Sequence, residues 1–583
     1  MNRRKSLGLV ALTATAALVA ACGTSSNSST ITSHYNAGLT SVVNPSNTSS
    51  KNTLIFDTAV TPDSTDPDNT YYAFMWDFVR LYTMSLMTYK SCPGACGLQL
   101  VPDLATGPGV VSDHGLIWTY HIKPDVKFQN GVTVTSEDVK YGVERTFAKD
   151  LLPNGPVYYQ VLLNDPSYPG PYTDPSVNKF GLTSVTTPNS TTIQFHLSQP
   201  FADFNYVVAI PQSSPVLPSW DTGSHSGANY QLDPISTGPY EFQSYTLNKQ
   251  LTLVRNPYWN ASTDPEAKQL VNKIVVNFNM NQNTVDQDQI AGYADMDLQG
   301  LGVQTAAKAK ILSTPSLKAD ADNPINNFLR FAYIDSVTVP NVHCRQAIEY
   351  AADKVTLQDA YGGSVLGGQI ASTVIPPIFP GYQKIDLYNA ISMPNGDDAA
   401  AKQQLSLCGQ PNGFNIGLAY RSDRPTDVAA ASALQAALAT VGIKVTLDGY
   451  PTGDYYSNYA GVPTYMQSHD IGIALGGWGA DWPDGYGFLY DLTDGATIAP
   501  AGNTNISQIN VPAINALFNK AAADTNSASA TAIYAEVDKD VMQGAYILPI
   551  VYQKVLLYRN PAVTNVYMDQ YYGMYNYAVL GLK

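Results

Sequence analysis

Residues 414–479 alternate between strand and helix patterns, and this order constrains the fold more than any other stretch of the chain. Strands are predicted at "FNIGLAY" (414–420), "IKVTLDGY" (443–450) and "HDIGIALGGW" (469–478), with helices at 427–441 and 453–460. A β-α-β-α-β order implies parallel strands joined by helical crossovers. Such sheets bind ligands beyond the carboxyl ends of their strands. Two of these ends are explicit, "YRSDRP" after the first strand and "GWGADWPDG" after the third.

The start of the chain has the features of an export signal. Arg3, Arg4 and Lys5 precede an apolar stretch, 6–20, that is too short to span a bilayer comfortably. The following "VAAC" resembles the lipobox of bacterial lipoproteins, which predicts a signal peptide over 1–21 and a lipidated Cys22. The alternative is an ordinary secretory signal with an incidental cysteine. Export by the Sec or the twin-arginine route stays open.

Residues 22–52 are rich in Ser, Thr and Asn, and they are predicted to be a flexible tether between a lipid anchor and the first strand. Together with a lipidated cysteine, a tether would hold the folded body at the outer face of the cytoplasmic membrane, and no later apolar stretch approaches the length of a membrane span.

Acidic residues dominate the charge of the chain, with 47 Asp and Glu against 32 Lys and Arg. Removal of the signal peptide would lower the formal net charge from −15 to about −18. This charge argues against nucleic acid and anionic lipid as partners. Only 14% of residues are charged while 39 are tyrosines, so the surface is expected to be largely uncharged, polar and aromatic.

Four cysteines remain after Cys22, namely Cys92, Cys96, Cys344 and Cys408. An even number in an exported chain favours disulfides, a local bridge around "PGA" and a long-range bridge between the other two. The histidines show no metal-site spacing beside them, so no metal is expected. The sequence also has no G-x-S-x-G, no H-E-x-x-H and no phosphate-binding glycine loop, and neither an enzyme activity nor a cofactor is predicted.

With these segments placed, the chain resembles the extracytoplasmic solute-binding proteins of ABC importers, in the peptide- and nickel-binding family. The resemblance covers nearly all of residues 53–570. It rests on "WTYHIKPDVKFQNGVTVTSEDVKYGVERT", "STGPYEFQSYTLNKQLTLVRNPYW", "VHCRQAIEYAADK", "DIGIALGGWGADWPD" and "ILPIVYQ", which occur in the order typical of the family. Ser236 replaces the first glycine of the Gly-Thr-Gly-Pro-Tyr segment. Each piece is weak alone, but their joint order is specific.

The resemblance implies an α/β, two-lobed periplasmic-binding-protein fold with an extra domain on the first lobe. The ligand would be engulfed between the lobes, which close by a hinge motion. The implied boundaries assign lobe I to 53–86, 189–328 and 547–583, the extra domain to 87–188, and lobe II to 329–546.

The resemblance also implies a ligand site around "GGWGADWPDG". In peptide-binding relatives, the aspartate at the position of Asp481 pairs with the peptide's α-ammonium, and Trp478 lies three residues before it. The alternative is that Asp481 caps the following turn, a role expected for Asp484. Trp478 is predicted to face the cleft, whereas Trp482 is equally compatible with the cleft and with the core.

Other candidate ligand contacts follow the first strand of each lobe. In "YRSDRP", Arg424 resembles an arginine that holds the peptide carboxylate in dipeptide-binding relatives, and Arg421 is the near alternative. A solvated loop arginine is an equally good interpretation. Tyr71 and Tyr72 are candidates on lobe I. Arg345 is expected to be a structural helix residue.

The sequence therefore predicts a monomeric, lipid-anchored receptor that hands a short peptide to an ABC permease. An oligosaccharide or another solute is an alternative ligand. A scaffold or regulator of cell-wall assembly is an alternative role. A secreted glycoside hydrolase using Asp481 and Asp484 is disfavoured, because both lie on one turn rather than on opposite walls of a cleft.

Overall fold

The computed structural model describes residues 35–165, 167–176, 180–524 and 527–583. The predicted signal peptide and Cys22 lie outside the described residues. Within the described ranges, no helix combines the length and the apolar character that crossing a membrane requires. These residues also contain no group of three or more His, Cys, Asp and Glu side chains arranged to hold a metal ion.

Lobe I is built on a five-stranded mixed sheet. Its strands lie in the spatial order Met296–Asp297, Thr53–Asp57, Lys273–Asn277, Gln250–Arg255 and Tyr240–Thr246. Thr53–Asp57 is parallel to both of its neighbours, and the remaining pairs are antiparallel. Leu54 and Phe56 alternate with more exposed neighbours and enter the core of this lobe, as expected for a strand with one face packed against helices.

Besides the main sheets of the two lobes there is a four-stranded antiparallel sheet, which we call the third sheet. Its strands lie in the order Val110–Ser112, Ile117–His121, Thr192–His196 and Val185–Asn189. The hairpin of Val185–Asn189 and Thr192–His196 continues past residue 188, the predicted end of the extra domain. Trp118 and Phe195 from this sheet share one continuous core with Leu54 of lobe I. The third sheet is therefore packed onto lobe I rather than separated from it.

Lobe II is built on a six-stranded sheet in which the predicted β-α-β-α-β unit forms one half. The spatial order is Gln369–Ile370, Ile547–Lys554, Ile325–Ile334, Ile471–Gly479, Asn415–Arg421 and Lys444–Tyr450. The last three strands are parallel, as predicted. The helix Pro425–Ala439 crosses between two of them, and Gly442 follows it at φ +92°, where a side chain would be strained.

Strand Ile547–Lys554 does not lie where the boundaries predict it. The boundaries place it in lobe I, but it pairs with Ile325–Ile334 in the sheet of lobe II. The chain returns to lobe I only afterwards. A buried apolar run can satisfy either sheet, so its sequence carries no information on which strand it pairs with.

Part of the predicted tether contacts the folded body. Val43 forms a bridge with Val566, and the amide of Gly38 donates to Asp322. The amide of Ser46 donates to the side chain of Asn565. Residues 35–52 thus lie along the C-terminal segment and are not a free linker.

Helices pack against the faces of the sheets. In the described part of the chain the α-helices are Ala73–Val79, Ser136–Arg145, Tyr158–Leu162, Phe204–Val207, Gln282–Ala291, Thr305–Ser313, Pro315–Ala319, Val342–Ala351, Lys354–Ala360, Gly363–Leu366, Asp398–Leu407, Pro425–Ala439, Thr452–Asp454, Pro463–Ser468, Gly485–Thr493, Pro512–Ala522 and Ser527–Gln543. The predicted helix at 453–460 is a short α turn followed by the π-helical segment Tyr455–Tyr459.

Short two-stranded pairings complete the secondary structure. They join Met87–Tyr89 to Leu100–Pro102, Ala321–Asp322 to Leu557–Tyr558, Val563–Thr564 to Gly581–Leu582, and Met568–Asp569 to Met574–Tyr575.

The four cysteines form the two disulfides that the sequence favours. Cys92 is bonded to Cys96, and Cys344 is bonded to Cys408. The second bond ties the helix Val342–Ala351 to the C-terminal end of Asp398–Leu407 on one side of the lobe II sheet.

Candidate functional site

A cavity of about 500 Å³ opens at the carboxyl end of strand Ile471–Gly479, where parallel-sheet geometry predicts a ligand. Both lobes contribute to its wall. The residues that line it are Tyr71, Phe328, Gly477, Trp478, Gly479, Asp481, Asp491 and Thr504.

A larger cavity of about 720 Å³ lies at the other end of the same strands, beside the Cys344–Cys408 disulfide. Residues from lobe II alone line it. It lies at the amino ends of Asn415–Arg421 and Lys444–Tyr450, away from the lobe boundary. The 500 Å³ cavity at the carboxyl end of Ile471–Gly479 is therefore the better candidate for a ligand that two lobes enclose.

Asp481 stands where the lobes meet, and it is only 8% exposed. The hydroxyl of Tyr71 donates to its Oδ2 at 2.6 Å, and the hydroxyl of Tyr158 donates to the same oxygen. Tyr571 donates to the backbone carbonyl of Asp481 at 2.8 Å. The carboxylate thus accepts from Tyr71 of lobe I and from Tyr158 on the helix Tyr158–Leu162, and it does not cap the turn that follows.

Two carboxylates share this cavity. Burial raises the pKa of Asp481 to about 6, although the hydrogen bonds from Tyr158 and Tyr71 oppose the shift. Burial and the negative charge of Asp481 together raise the pKa of Asp491 to about 7. Among the described residues, no Lys, Arg or His forms an ion pair with either carboxylate. The arrangement favours a cationic group brought by a ligand.

Asp484 has the turn role that the sequence predicts. It precedes the helix Gly485–Thr493, and its side chain accepts the amide of Gly487 at 2.9 Å. Its carboxyl group also lies within hydrogen-bond reach of Asp203 from the other side of the lobe boundary. Asp481 and Asp484 therefore contact different partners and do not act on one cavity as a pair.

The two predicted tryptophans have separate environments. Trp478 is half-buried and lines the cavity, with its indole N–H lacking a hydrogen-bond partner among the described residues. Trp482 is 1% exposed and lies in the core of lobe I. Its indole stacks parallel to the ring of Tyr206 at a centroid distance of 6.3 Å. Trp482 is thus a core residue that fastens the strand end of lobe II to lobe I, and not a wall of the cavity.

The two predicted tyrosines also have separate environments. Tyr71 lines the cavity and stacks on Trp76 at a centroid distance of 5.5 Å. Tyr72 is 49% exposed, precedes the helix Ala73–Val79 and packs beside Phe74, outside the cavity wall.

The predicted arginines already have protein partners. Arg421 is 6% exposed, and its Nε donates to Asp427 at 2.6 Å. Arg424 precedes the helix Pro425–Ala439, and its Nε donates to the hydroxyl of Thr452 at 3.1 Å. Neither lines the cavity described above. Arg345, as expected, is structural, since it donates to backbone carbonyls of Gly544, Val339 and Pro340.

Sequence reasoning missed four residues at this site, one of them Thr504 of the cavity wall. Asp491 lies on the helix Gly485–Thr493, seven positions and thus about two helical turns after the capping Asp484. Tyr158 comes from "VYYQVL", more than 300 positions before its partner Asp481. Phe328 lies on strand Ile325–Ile334, opposite Gly479. Only the helix signal after Asp484 could have indicated one of them, Asp491, because it places that side chain two turns beyond the cap.

Comparisons with known proteins point to one family. Residues 99–499 match the family described as bacterial extracellular solute-binding proteins, family 5 Middle. Haem-binding protein A of Haemophilus influenzae is 26% identical over 459 residues, which cover 76% of this chain and 77% of the relative. The probable D,D-dipeptide-binding periplasmic protein of Escherichia coli is 24% identical over 507 residues, covering 85% and 87% respectively.

A solved structure is more similar still. The clavulanic acid biosynthesis oligopeptide binding protein 2 is 38% identical, with a TM-score of 0.89. The match covers 94% of this chain and 98% of that one. The two-lobed fold predicted from the sequence is thereby confirmed.

Proposed function

Because the chain belongs to the bacterial extracellular solute-binding proteins of family 5, we propose that it captures short peptides between its lobes. In this proposal Asp481 and Asp491 hold the α-ammonium group of the peptide. The extended backbone would lie along the end of strand Ile471–Gly479, and no chemistry is performed on the ligand.

The observation that carries this proposal is the buried carboxylate of Asp481 beside the half-buried carboxylate of Asp491, neither of which forms an ion pair with a Lys, Arg or His of the described residues. A desolvated carboxylate is costly unless a positive group is near, and an ammonium supplies charge-assisted hydrogen bonds of the strong kind. Both hydroxyl bonds to Asp481 use Oδ2, and within the described part of the chain no donor binds its Oδ1, which can therefore accept from a ligand.

The same observation argues against the other ligand classes. A neutral oligosaccharide would leave both carboxylates uncompensated in a drier site. Haem, which one relative's name specifies, carries carboxylates of its own and would meet like charge at this end of the cavity. Peptide binding is supported instead by the printed names of the dipeptide- and oligopeptide-binding relatives.

The proposal extends to location and role. Lipidation of Cys22 would hold the chain at the outer face of the cytoplasmic membrane, where a monomer delivers its peptide to an ABC permease. Mass spectrometry of the mature N-terminus tests the anchor, because an unmodified Cys22 contradicts it. Peptide uptake in a strain lacking the gene tests delivery, since a scaffold of cell-wall assembly would leave uptake unchanged.

The decisive test of the ligand is mass spectrometry of small molecules released from the purified chain. We expect peptides from the wild type and their loss from Asp481→Asn, which preserves shape and removes charge. Glu536→Gln is the matched control, because it removes one exposed carboxylate from lobe II. A sugar or haem retained by Asp481→Asn would overturn the proposal.

A further inference from the structure

We propose that Arg330 is the centre of an anion-binding subsite that receives a carboxylate of the ligand, at the end of the cavity away from Asp481. The inference rests on the proposed capture of peptides, and it adds a second recognition point and a length class. No sequence pattern singles out Arg330, which lies in the middle of strand Ile325–Ile334.

Strand pairing places Arg330 at the wall of the cavity. It lies directly opposite Gly477 in the antiparallel pair, and Phe328 lies opposite Gly479. Phe328, Gly477 and Gly479 all line the cavity. The Arg330 guanidinium stacks over the Phe328 ring at 4.7 Å, and its Nη1 lies 3.2 Å from the position that a Cβ on Gly477 would take. The absence of a side chain at Gly477 therefore leaves the guanidinium next to the cavity.

Arg330 has no anionic partner of its own. Among the described residues, no carboxylate lies within ion-pair distance, and no acceptor forms a hydrogen bond with its guanidinium. Its close contacts are the rings of Phe328 and Tyr361. Burial lowers the pKa of the half-buried Arg330, and the nearby charge of Arg421 acts in the same direction, whereas Tyr361 and Asp427 oppose the shift. A guanidinium withdrawn from water normally pairs with a carboxylate, and a ligand can supply one.

Further unpaired groups surround the same point. Arg421 is buried, and while its Nε binds Asp427, its Nη2 has no partner in the described part of the chain. The hydroxyl of the buried Tyr361 also lacks one. The charges of Asp427, Arg330 and Arg421 all act on the pKa of Tyr361, so the four side chains form one electrostatic cluster. Two guanidinium groups against one carboxylate leave it with a net positive charge, in a chain whose net charge is −15.

The distance between Arg330 and Asp481 along the cavity predicts the length of the peptide. Gly477, opposite Arg330, lies four positions before Asp481. At about 3.3 Å per residue of extended chain, this separation is at most ~13 Å. An extended peptide advances about 3.3–3.6 Å per residue, so a peptide of roughly two to four residues places opposite charges at both ends. The carboxylate is either the C-terminus or an acidic side chain near it.

The test compares peptides that differ in one charge. Isothermal titration of the whole chain would use alanine peptides of two, three and four residues, each with a free C-terminus and as the C-terminal amide. We expect the wild type to bind the free form of at least one length tenfold or more tightly than its amide. A third probe, Ala-Ala-Glu-amide, separates the two sources: affinity recovered by the glutamate assigns the subsite to a side chain, and affinity not recovered assigns it to the C-terminus.

Variants then assign the discrimination to Arg330. Arg330→Gln should bind the free and amide forms within twofold of each other, and Arg330→Lys should keep part of the preference. Lys402→Gln, which removes an exposed positive charge from lobe II, should behave as wild type. Because the readout is a ratio within one protein, partial unfolding does not imitate the result.

The outcomes of the two proposals are distinguishable. Equal binding of free and amide forms by the wild type, or an unchanged ratio in Arg330→Gln, overturns the subsite and leaves peptide capture standing. Binding of none of these peptides overturns both.

Discussion

The phenolic oxygen of Tyr71 lies 2.6 Å from Oδ2 of Asp481, and this hydrogen bond joins lobe I to lobe II across the wall of the cavity. Tyr158, on the helix Tyr158–Leu162, donates to the same oxygen. The two hydroxyls stabilise the ionised carboxylate and fix the position of Oδ2. The carboxylate is thus held in place by protein groups before a ligand arrives.

Ligand affinity is expected to fall in acid. Burial raises the pKa of Asp481 to about 6, and burial with the charge of Asp481 raises that of Asp491 to about 7. Protons compete with a ligand's ammonium for these carboxylates. The dissociation constant of the tightest-binding alanine peptide, measured by titration calorimetry, should therefore rise at least about tenfold from pH 8 to pH 5.

Asp481→Asn provides the control for this pH dependence. It removes one proton-binding group and also the negative charge that helps to raise the pKa of Asp491, so the remaining change should be smaller and centre below pH 7. An affinity that stays constant from pH 8 to pH 5 in the wild type would contradict the role of both carboxylates.

The position of the site could be read from the sequence, but most of its wall could not. Trp478 lies at the carboxyl end of a strand in a recognisable β-α-β order and Asp481 follows that strand, and the order alone places both at a ligand-binding edge. Tyr158 reaches the same cavity through a tertiary contact that no local pattern encodes. Arg330 lies in the middle of a strand, where a lone arginine gives no sign of the glycine opposite it.

Core and cavity also could not be told apart within "WGADW". Both tryptophans are large and apolar, and they lie only four positions apart. Trp482 becomes core because Tyr206 and Phe201 arrive from a distant segment to cover it. The polar segment over 35–52 is a similar case, since backbone bridges such as Val43 to Val566 hold it without an apolar pattern.

Asp203 and Asp484 should make stability depend on pH. Burial raises the pKa of Asp203 to about 6, and burial with the charge of Asp203 raises the pKa of Asp484 well above its ordinary range. Carboxyls with a raised folded-state pKa stabilise the fold at low pH, and this contribution is lost as the pH rises through the folded-state values.

Thermal melts from pH 5 to pH 8 test this sign. The wild-type midpoint should fall with rising pH more steeply than that of Asp484→Asn, whose amide can donate to Asp203 at every pH. Glu536→Gln, changed at an exposed site, should follow the wild type. Equal slopes for wild type and Asp484→Asn would show that the pair shares no proton.

Arg145 is predicted to be essential for stability rather than for binding. Its buried guanidinium donates to Asp66, Asp68 and Asp221, and its charge lies over the ring of Tyr230 at 4.1 Å. Replacement with methionine leaves buried carboxylates without their cation, which typically destabilises a protein by about 3–5 kcal/mol. Urea denaturation should show a clearly lower midpoint for Arg145→Met. A midpoint equal to that of wild type would refute this role.

The two disulfides should contribute unequally. Cys344 and Cys408 are separated by 64 positions, and Cys92 and Cys96 by four. Loop-closure entropy predicts a loss of about 4 kcal/mol when the long-range bond is removed and about 2 kcal/mol for the short one. Urea denaturation of the two double-alanine variants compares them directly. A larger loss from the short bond would contradict the entropic account.

Gly477 is expected to be required for an open cavity. A Cβ at this position would overlap the Phe328 ring and approach Nη1 of Arg330 to 3.2 Å. Overpacking of this kind typically costs about 1–3 kcal/mol, and here the displaced side chains are those that line the cavity. Gly477→Ala should therefore weaken peptide binding at least about tenfold by calorimetry. Gly476→Ala is the matched control, because its Cβ would overlap the ring of Tyr333 to a similar extent while Gly476 does not line the cavity. Since both variants add one methyl group to the same strand, equal losses of affinity would mean that the effect arises from the strand and not from the cavity.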